Sequence, residues 1–350
     1  MKARVLRPSL TAALLASCLS LHPAAQAQSD RLTVAWSGGV GTLGLQPCLG
    51  DKFTKETGVT IVPEIGTSSV TLAKLQQQKD APSIDVAWID GGISELAQAA
   101  GVVDILDPSR IPNMGNAQDR AVFKRDGAAY AVNTGFYWIG LTYNTKEISS
   151  PPATWKDLWK PEYEGAVVIP TPANAAGIPF IFFLTKVWGG DPSNMQPVID
   201  KLKTLEAAAY YDSSGAATNA FQNGEAIIGA HYNAAAMDMM DKGLPIGIVV
   251  PEEGVWGDGG RVHLVKGTPK KELAEKFINM ALTPEVSSCL AEKIYLVPSM
   301  KNVELSEKAA SRMPRLKDGS DALVLFDIDT MNAQRAELTD TWNRNIARKR

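Results

Sequence analysis

A glycine-rich turn, Gly39-Val40-Gly41-Thr42-Leu43-Gly44, matches G-x-G-x-x-G. It follows a β-rich stretch and precedes an amphipathic one, and Glu64 lies 20 residues beyond Gly44. That layout is the dinucleotide fingerprint. The chain carries an export signal, however, and an exported protein meets little nicotinamide cofactor, so no cofactor is expected. The physics still suits a smaller ligand, because exposed N–H groups at a helix start attract anions. A second turn, Asp90-Gly91-Gly92, follows Trp88-Ile89. Asp90 is placed either to hold an amine or to cap a helix beginning near Ile93. Aromatic residues recur near the loops, and such rings stack on flat groups or hold cations. Trp36, Tyr232 and Trp256 have polar or glycine neighbours and are the binding candidates. Trp88, Tyr137 and Trp138 lie in apolar runs and are expected to pack.

Catalytic signatures are absent from the sequence: there is no H-E-x-x-H, C-x-x-C or G-x-S-x-G. The histidines are His22, His231 and His263. A lone histidine is usually structural, and no cluster supplies a zinc site. The expectation is a binding protein, not an enzyme, with no resident metal.

The N-terminus sets the compartment. Lys2, Arg4 and Arg7 precede an apolar run from Leu10 to Leu21, and Ala25-Gln26-Ala27 is an A-x-A cleavage site. Residues 1–27 therefore read as a secretory signal peptide, too short to span a membrane. Cys18 ends a box resembling a lipoprotein site, but the A-x-A site beyond it favours simple secretion. Cleavage removes three cations and no anion, which leaves 32 Lys+Arg against 38 Asp+Glu, a net charge of −6. Cys48 and Cys289 remain. Two cysteines in an oxidising compartment point to one disulfide, with two buried thiols as the alternative.

Of 350 residues, 45% are hydrophobic and 21% charged, which excludes a disordered chain. No block of basic residues appears, only Arg344 and the tail Arg348-Lys349-Arg350, so a nucleic-acid partner is not expected. Strand signals at Leu32–Trp36, Val59–Glu64 and Ile84–Ile89 alternate with helix signals at Val70–Gln78 and Ile93–Ala99. That alternation predicts an α/β fold with parallel sheet. Val132–Tyr143 is longer than one ordinary strand. A second α/β set runs from Ala166 to about Val250, and Val262–Val265 is a further strand. Two such units suggest two lobes around a cleft, with ligands at the strand carboxyl ends.

Several stretches resemble one family. Asp51-Lys52-Phe53-Thr54-Lys55-Glu56-Thr57-Gly58-Val59 resembles the F-x-K-E-T-G-I segment of periplasmic solute-binding proteins of ABC importers. Trp155 to Gly165, W-K-D-L-W-K-P-E-Y-E-G, resembles the signature of the spermidine/putrescine-binding group. Asn223-Gly224-Glu225, Tyr232-Asn233 and Pro251-Glu252-Glu253-Gly254 continue the likeness. The resemblance implies a type II two-lobed binding-protein fold with crossover hinge strands. It places 28–136 plus 261–300 in one lobe and 137–260 plus 301–350 in the other, which puts Cys48 and Cys289 together. It further implies capture of a small molecule by a monomer that docks on an ABC permease in the inner membrane.

The site pattern departs from the polyamine binders. Their acidic residues at the start of the second lobe's sheet are replaced by Pro170 to Ala176. Their late aspartate falls at Gly260, with Arg261 next. Arg261 offers a fork for an acid, so an anionic or zwitterionic ligand is favoured, with a surface or inter-lobe salt bridge as the alternative role of this arginine. A polyamine held by Asp90, Asp258 and the aromatics is the alternative. Ferric ion, bound by a sister group, finds only Tyr232 where that group has a tyrosine pair, because Tyr210-Tyr211 lies in another segment. The expected site is Trp36 and Tyr232 for stacking, Ser37 for hydrogen bonding, Asp90 for an amine and Arg261 for an acid, with Trp256 and Asp258 beside them.

Overall fold

The computed structural model describes residues 31–347. The signal segment 1–27 with Cys18 and His22, and the tail Arg348-Lys349-Arg350, lie outside the described residues. The strands are β1 (Arg31–Trp36), β2 (Thr60–Ile65), β3 (Val86–Asp90), β4 (Val122–Arg125), β5 (Ala128–Asn144), β6 (Val167–Pro170), β7 (Ala207–Tyr211), β8 (Ile228–Tyr232), β9 (Ile246–Val249), β10 (Val255–Leu264) and β11 (Leu323–Val324). They form one sheet in the order β2-β1-β3-β10-β5-β8-β6-β7, with β4 and β9 beside β5 and β11 beside β10. β1 pairs parallel with β2 and β3, and β6 pairs parallel with β7 and β8. The antiparallel pair β5 and β10 joins these two parallel sets.

β5 is the long apolar run of the sequence, 17 residues buried nearly end to end. β10 is longer than its sequence signal. Its first half, Val255-Trp256-Gly257-Asp258-Gly259-Gly260, is glycine-rich, and glycine is depleted in strands. Here the glycines admit β5: a Cβ on Gly257 would sit 2.1 Å from the Tyr137 carbonyl oxygen. Register shifts between Gly259 and Arg261, which turns the next side chains.

The chain after β1 is helical, but not as one regular amphipathic helix. Gly41–Gly50 is a π-type stretch containing Pro47, followed by an α-helix over Asp51–Thr57. Gly58 ends it with φ +76°, a left-handed cap that glycine adopts without strain. The glycines of the fingerprint serve packing. A Cβ on Gly41 would sit 2.1 Å from the Trp36 ring, and one on Gly44 2.4 Å from Ile294.

Cys48 in the π-type stretch and Cys289 in the helix Pro284–Ile294 form a disulfide, Cα atoms 5.7 Å apart. The bridge closes a separation of 241 residues. Cross-linking so long a segment constrains the unfolded chain strongly. The double substitution Cys48→Ser/Cys289→Ser should lower unfolding free energy by about 2–4 kcal/mol. Urea melts of both proteins check this, and coincident melts would contradict it.

The core contains a buried aromatic group, Trp155, Phe180, Phe183 and Trp256, with ring centroids 5.0–5.7 Å apart. The helix Gly177–Trp188, apolar nearly all round, supplies the two phenylalanines.

Candidate ligand-binding cleft

The carboxyl ends of β1 and β3 open onto one cleft, crossed by β5 and β10. Its cavity volume is about 20 Å³, room for about one water molecule, and it is partly open to solvent. β1 delivers Trp36 and the following Ser37, β3 delivers Trp88 and Asp90, and β5 delivers Thr134 and Tyr137. Ser68, at the start of the helix Ser68–Gln77, completes the polar wall. Val40, Leu45 and Leu296 make an apolar one.

Each side chain is held. Trp36 and Trp88 meet edge to face, centroids 6.0 Å apart. The Trp88 indole N–H donates to Thr134 Oγ1 at 2.9 Å. Ser68 Oγ donates to Asp90 Oδ2 at 2.9 Å and accepts the Asp90 backbone N–H at 3.0 Å. Tyr232, at the end of β8, lies beside Tyr137 with centroids 5.2 Å apart. Its hydroxyl donates to Asn174 Oδ1 at 2.7 Å. Burial holds both phenols well above their ordinary range, so they stay neutral.

Burial pushes the Asp90 carboxyl up to about 6. The Ser68 hydrogen bond opposes this, nearby Asp258 reinforces it, and Arg261 opposes it. The carboxylate is therefore a charge short of a partner. Binding a cation there requires the ionised form, so affinity for an amine should fall up to about tenfold per pH unit below pH 6 and level off above it. The effect on folding has the opposite sense. The folded chain holds this proton more tightly than a carboxyl at the ordinary 3.8, so Asp90 costs stability as pH rises through about 6. Calorimetry between pH 5 and 8 checks the binding curve, and a flat curve contradicts it.

The structure brings Trp36, Ser37 and Asp90 together and sets Tyr232 alongside through Tyr137. It places Trp256 elsewhere, 1% exposed within the aromatic core, where apolar rings surround it on several sides. Arg261 is likewise 1% exposed. Its guanidinium bonds Glu95 Oε1, lies 3.3 Å from Asp258 Oδ1 and stacks 3.4 Å above the Phe123 ring. The fork anticipated for an acid ligand is thus occupied by two carboxylates of the chain itself. Asp258 belongs to that cluster, and Gly91 makes room for it, since a Cβ there would fall 1.6 Å from Asp258 Oδ2. Asp90 does not cap the next helix. The Gly92 N–H donates to Glu95 Oε2 instead, at 2.8 Å.

Ser68, Thr134, Trp88, Tyr137 and Asn174 were not singled out as binding residues from the sequence. For Ser68 a signal existed, because Gly66-Thr67-Ser68 follows a strand and starts a helix. Trp88 and Tyr137 were hidden by apolar neighbours. His231 and His263 are fully buried, with burial first among the causes that lower both to about 3. His231 Nε2 lies 3.0 Å from Thr218 Oγ1, and His263 stacks on Tyr130. Neither lines the cleft. Tyr211 donates to the Ala230 carbonyl at 2.9 Å, and Tyr210 packs on Trp342. Among the described residues no group of His, Cys, Asp and Glu is arranged to hold a metal, and no helix is long and apolar enough to cross a membrane.

Residues 49–315 match the family model of the bacterial extracellular solute-binding proteins. The chain belongs to that family. This solute-binding protein is 28% identical over 266 residues to the spermidine/putrescine-binding periplasmic protein of Escherichia coli (strain K12), covering 73% of this chain and 74% of that one. It is 25% identical over 294 residues to the gamma-aminobutyric acid-binding protein of Pseudomonas aeruginosa, covering 81% of each. The crystal structure of an ABC transporter from Clostridium perfringens superposes with a TM-score of 0.71 at 27% identity, over 90% of this chain and 99% of that one. The likeness agrees with the two parallel strand sets joined by β5 and β10. Like these relatives, the protein is a solute-binding component of transport, and its fold is the two-lobed periplasmic-binding type.

Proposed function

We propose that this protein captures a small solute bearing one ammonium group in the periplasm and delivers it to the permease of an ABC importer. Asp90 carries this reading: it is the one charged residue among those lining the cleft. Burying a single ammonium against one carboxylate balances charge, whereas burying a second ammonium without an acid is costly. Asp258, the other candidate acid, is spent on Arg261. The remaining walls are hydroxyls and apolar surface, which suit the uncharged body of a solute with a single amine better than a second ammonium. A polyamine is the second reading, favoured by the aromatic residues Trp36, Trp88, Tyr137 and Tyr232. Both gamma-aminobutyric acid and putrescine, the ligands in the names of two relatives, carry a primary amine.

Residues 28–136 plus 261–300 form the first lobe in this reading, and 137–260 plus 301–350 the second. Ligand contacts shift the balance between open and closed lobes, and the closed monomer docks on the permease. The chain reaches the periplasm through a signal peptide cleaved after Ala27, and it binds without catalysing. Burial of both histidines away from the cleft supports that last point.

A thermal-shift panel of amino acids, aminophosphonates, polyamines and amine-free aromatic acids tests the ligand class. A ligand at 100 times its dissociation constant adds roughly 2.7 kcal/mol, a readily visible shift. Shifts are expected from amine-bearing members alone. A shift from an amine-free acid would overturn the assignment.

A further inference from the structure

We propose that the C-terminal helix Ile328–Asn345 is a latch whose Asn332 and Arg335 position the Asp90-Gly91-Gly92 turn and favour lobe closure. The inference rests on the lobe division above and not on the identity of the solute.

The helix is anchored in the second lobe. Trp342 meets the Tyr210 ring with centroids 5.2 Å apart, and the Gln334 side chain donates to the Pro192 carbonyl. Its other face reaches the first lobe. Asn332 Nδ2 donates to the Gly92 carbonyl at 2.9 Å. Arg335 Nε donates to Asn332 Oδ1 at 3.0 Å, which orients that amide. The guanidinium covers Gly92 so closely that a Cβ there would lie 2.6 Å from Arg335 Nη2. Gly92 also has φ +86°, where a side chain is strained. Glycine at 92 thus serves both the turn and the docking of Arg335. Farther out, Arg125 Nη2 of β4 lies 3.6 Å from Asp329 Oδ1.

Arg335 is half-buried and forms no salt bridge among the described residues. Burial lowers its pKa, while the charge of Glu95 favours its ionised form. Gly92 is two residues from Asp90, so a grip on its carbonyl acts together with Ser68 to set where the Asp90 carboxylate points. Asn332 and Arg335 are positioning residues, since neither lines the cleft.

The test measures the distance between spin labels at Lys55→Cys in the first lobe and Glu206→Cys in the second, both exposed positions. In the chain from which residues 1–27 and Cys18 have been removed, the native disulfide leaves only these thiols free. In ligand-free protein, Asn332→Ala and Arg335→Ala should each lower the short-distance population about fivefold, the scale of one or two lost hydrogen bonds. Arg125→Ala, at an exposed pair, should lower it less. The melting temperatures of the single variants should stay close to that of the parent, which separates a latch from a folding role. Two populations in unchanged proportion across all variants would overturn the latch alone. One narrow distance in the parent and every variant would overturn both the latch and the lobe movement.

Discussion

Asp90→Asn is expected to weaken binding of an amine-bearing solute about 100-fold, while the folded protein becomes more stable at neutral pH. The two effects have one origin. The carboxylate is held in a half-buried position with its pKa up at about 6, so its charge costs the empty protein free energy. The asparagine amide keeps the shape and can still accept from Ser68, which now donates at 2.9 Å. What it cannot do is neutralise an ammonium. Removing one partner of a desolvated ion pair costs several kcal/mol, and about 1.4 kcal/mol is tenfold in affinity. Titration calorimetry and a urea melt of the same variant read the two signs. Loss of binding with loss of stability would mean that Asp90 is structural.

Arg261→Ala is expected to lower unfolding free energy by about 3–5 kcal/mol, because Glu95 and Asp258 would remain buried without their shared cation. A cavity beside the Phe123 ring would add to the loss. Removing all three charges together, as Glu95→Gln/Asp258→Asn/Arg261→Met, should recover much of that stability, since no buried charge is then left unpaired. Chemical denaturation of the single and triple variants decides the matter. A single variant as stable as the parent would show that Arg261 is not the counter-ion of this cluster.

Much of the lining of the candidate cleft could be read from the sequence because it lies at strand ends. Trp36, Ser37 and Asp90 stand at strand carboxyl ends, and strand ends can be located from apolar runs closed by glycine. The cysteine pair was legible by count and compartment. Trp256 was misleading for a physical reason. Its glycine neighbours look like a loop, yet they lie in a strand where only glycine lets β5 approach. Trp88 shows the converse, an aromatic in an apolar run whose indole lines the cleft. A salt bridge within the chain was an open alternative for Arg261, but its partners could not be read. Its partner Glu95 is 166 residues away, and only the pairing of β10 with β3 brings the two together. Ser68 was missed because a serine at a helix start is usually a cap, whereas here Thr67 caps and Ser68 is free to bond Asp90.

The most direct test of one-ammonium recognition at Asp90 is calorimetry on three solutes sharing a four-carbon frame: 4-aminobutyrate, butyrate and putrescine. The geometry predicts that 4-aminobutyrate binds most tightly, that putrescine binds more weakly because its second ammonium finds no carboxylate, and that butyrate does not bind. Tightest binding by butyrate, or by putrescine, would contradict it.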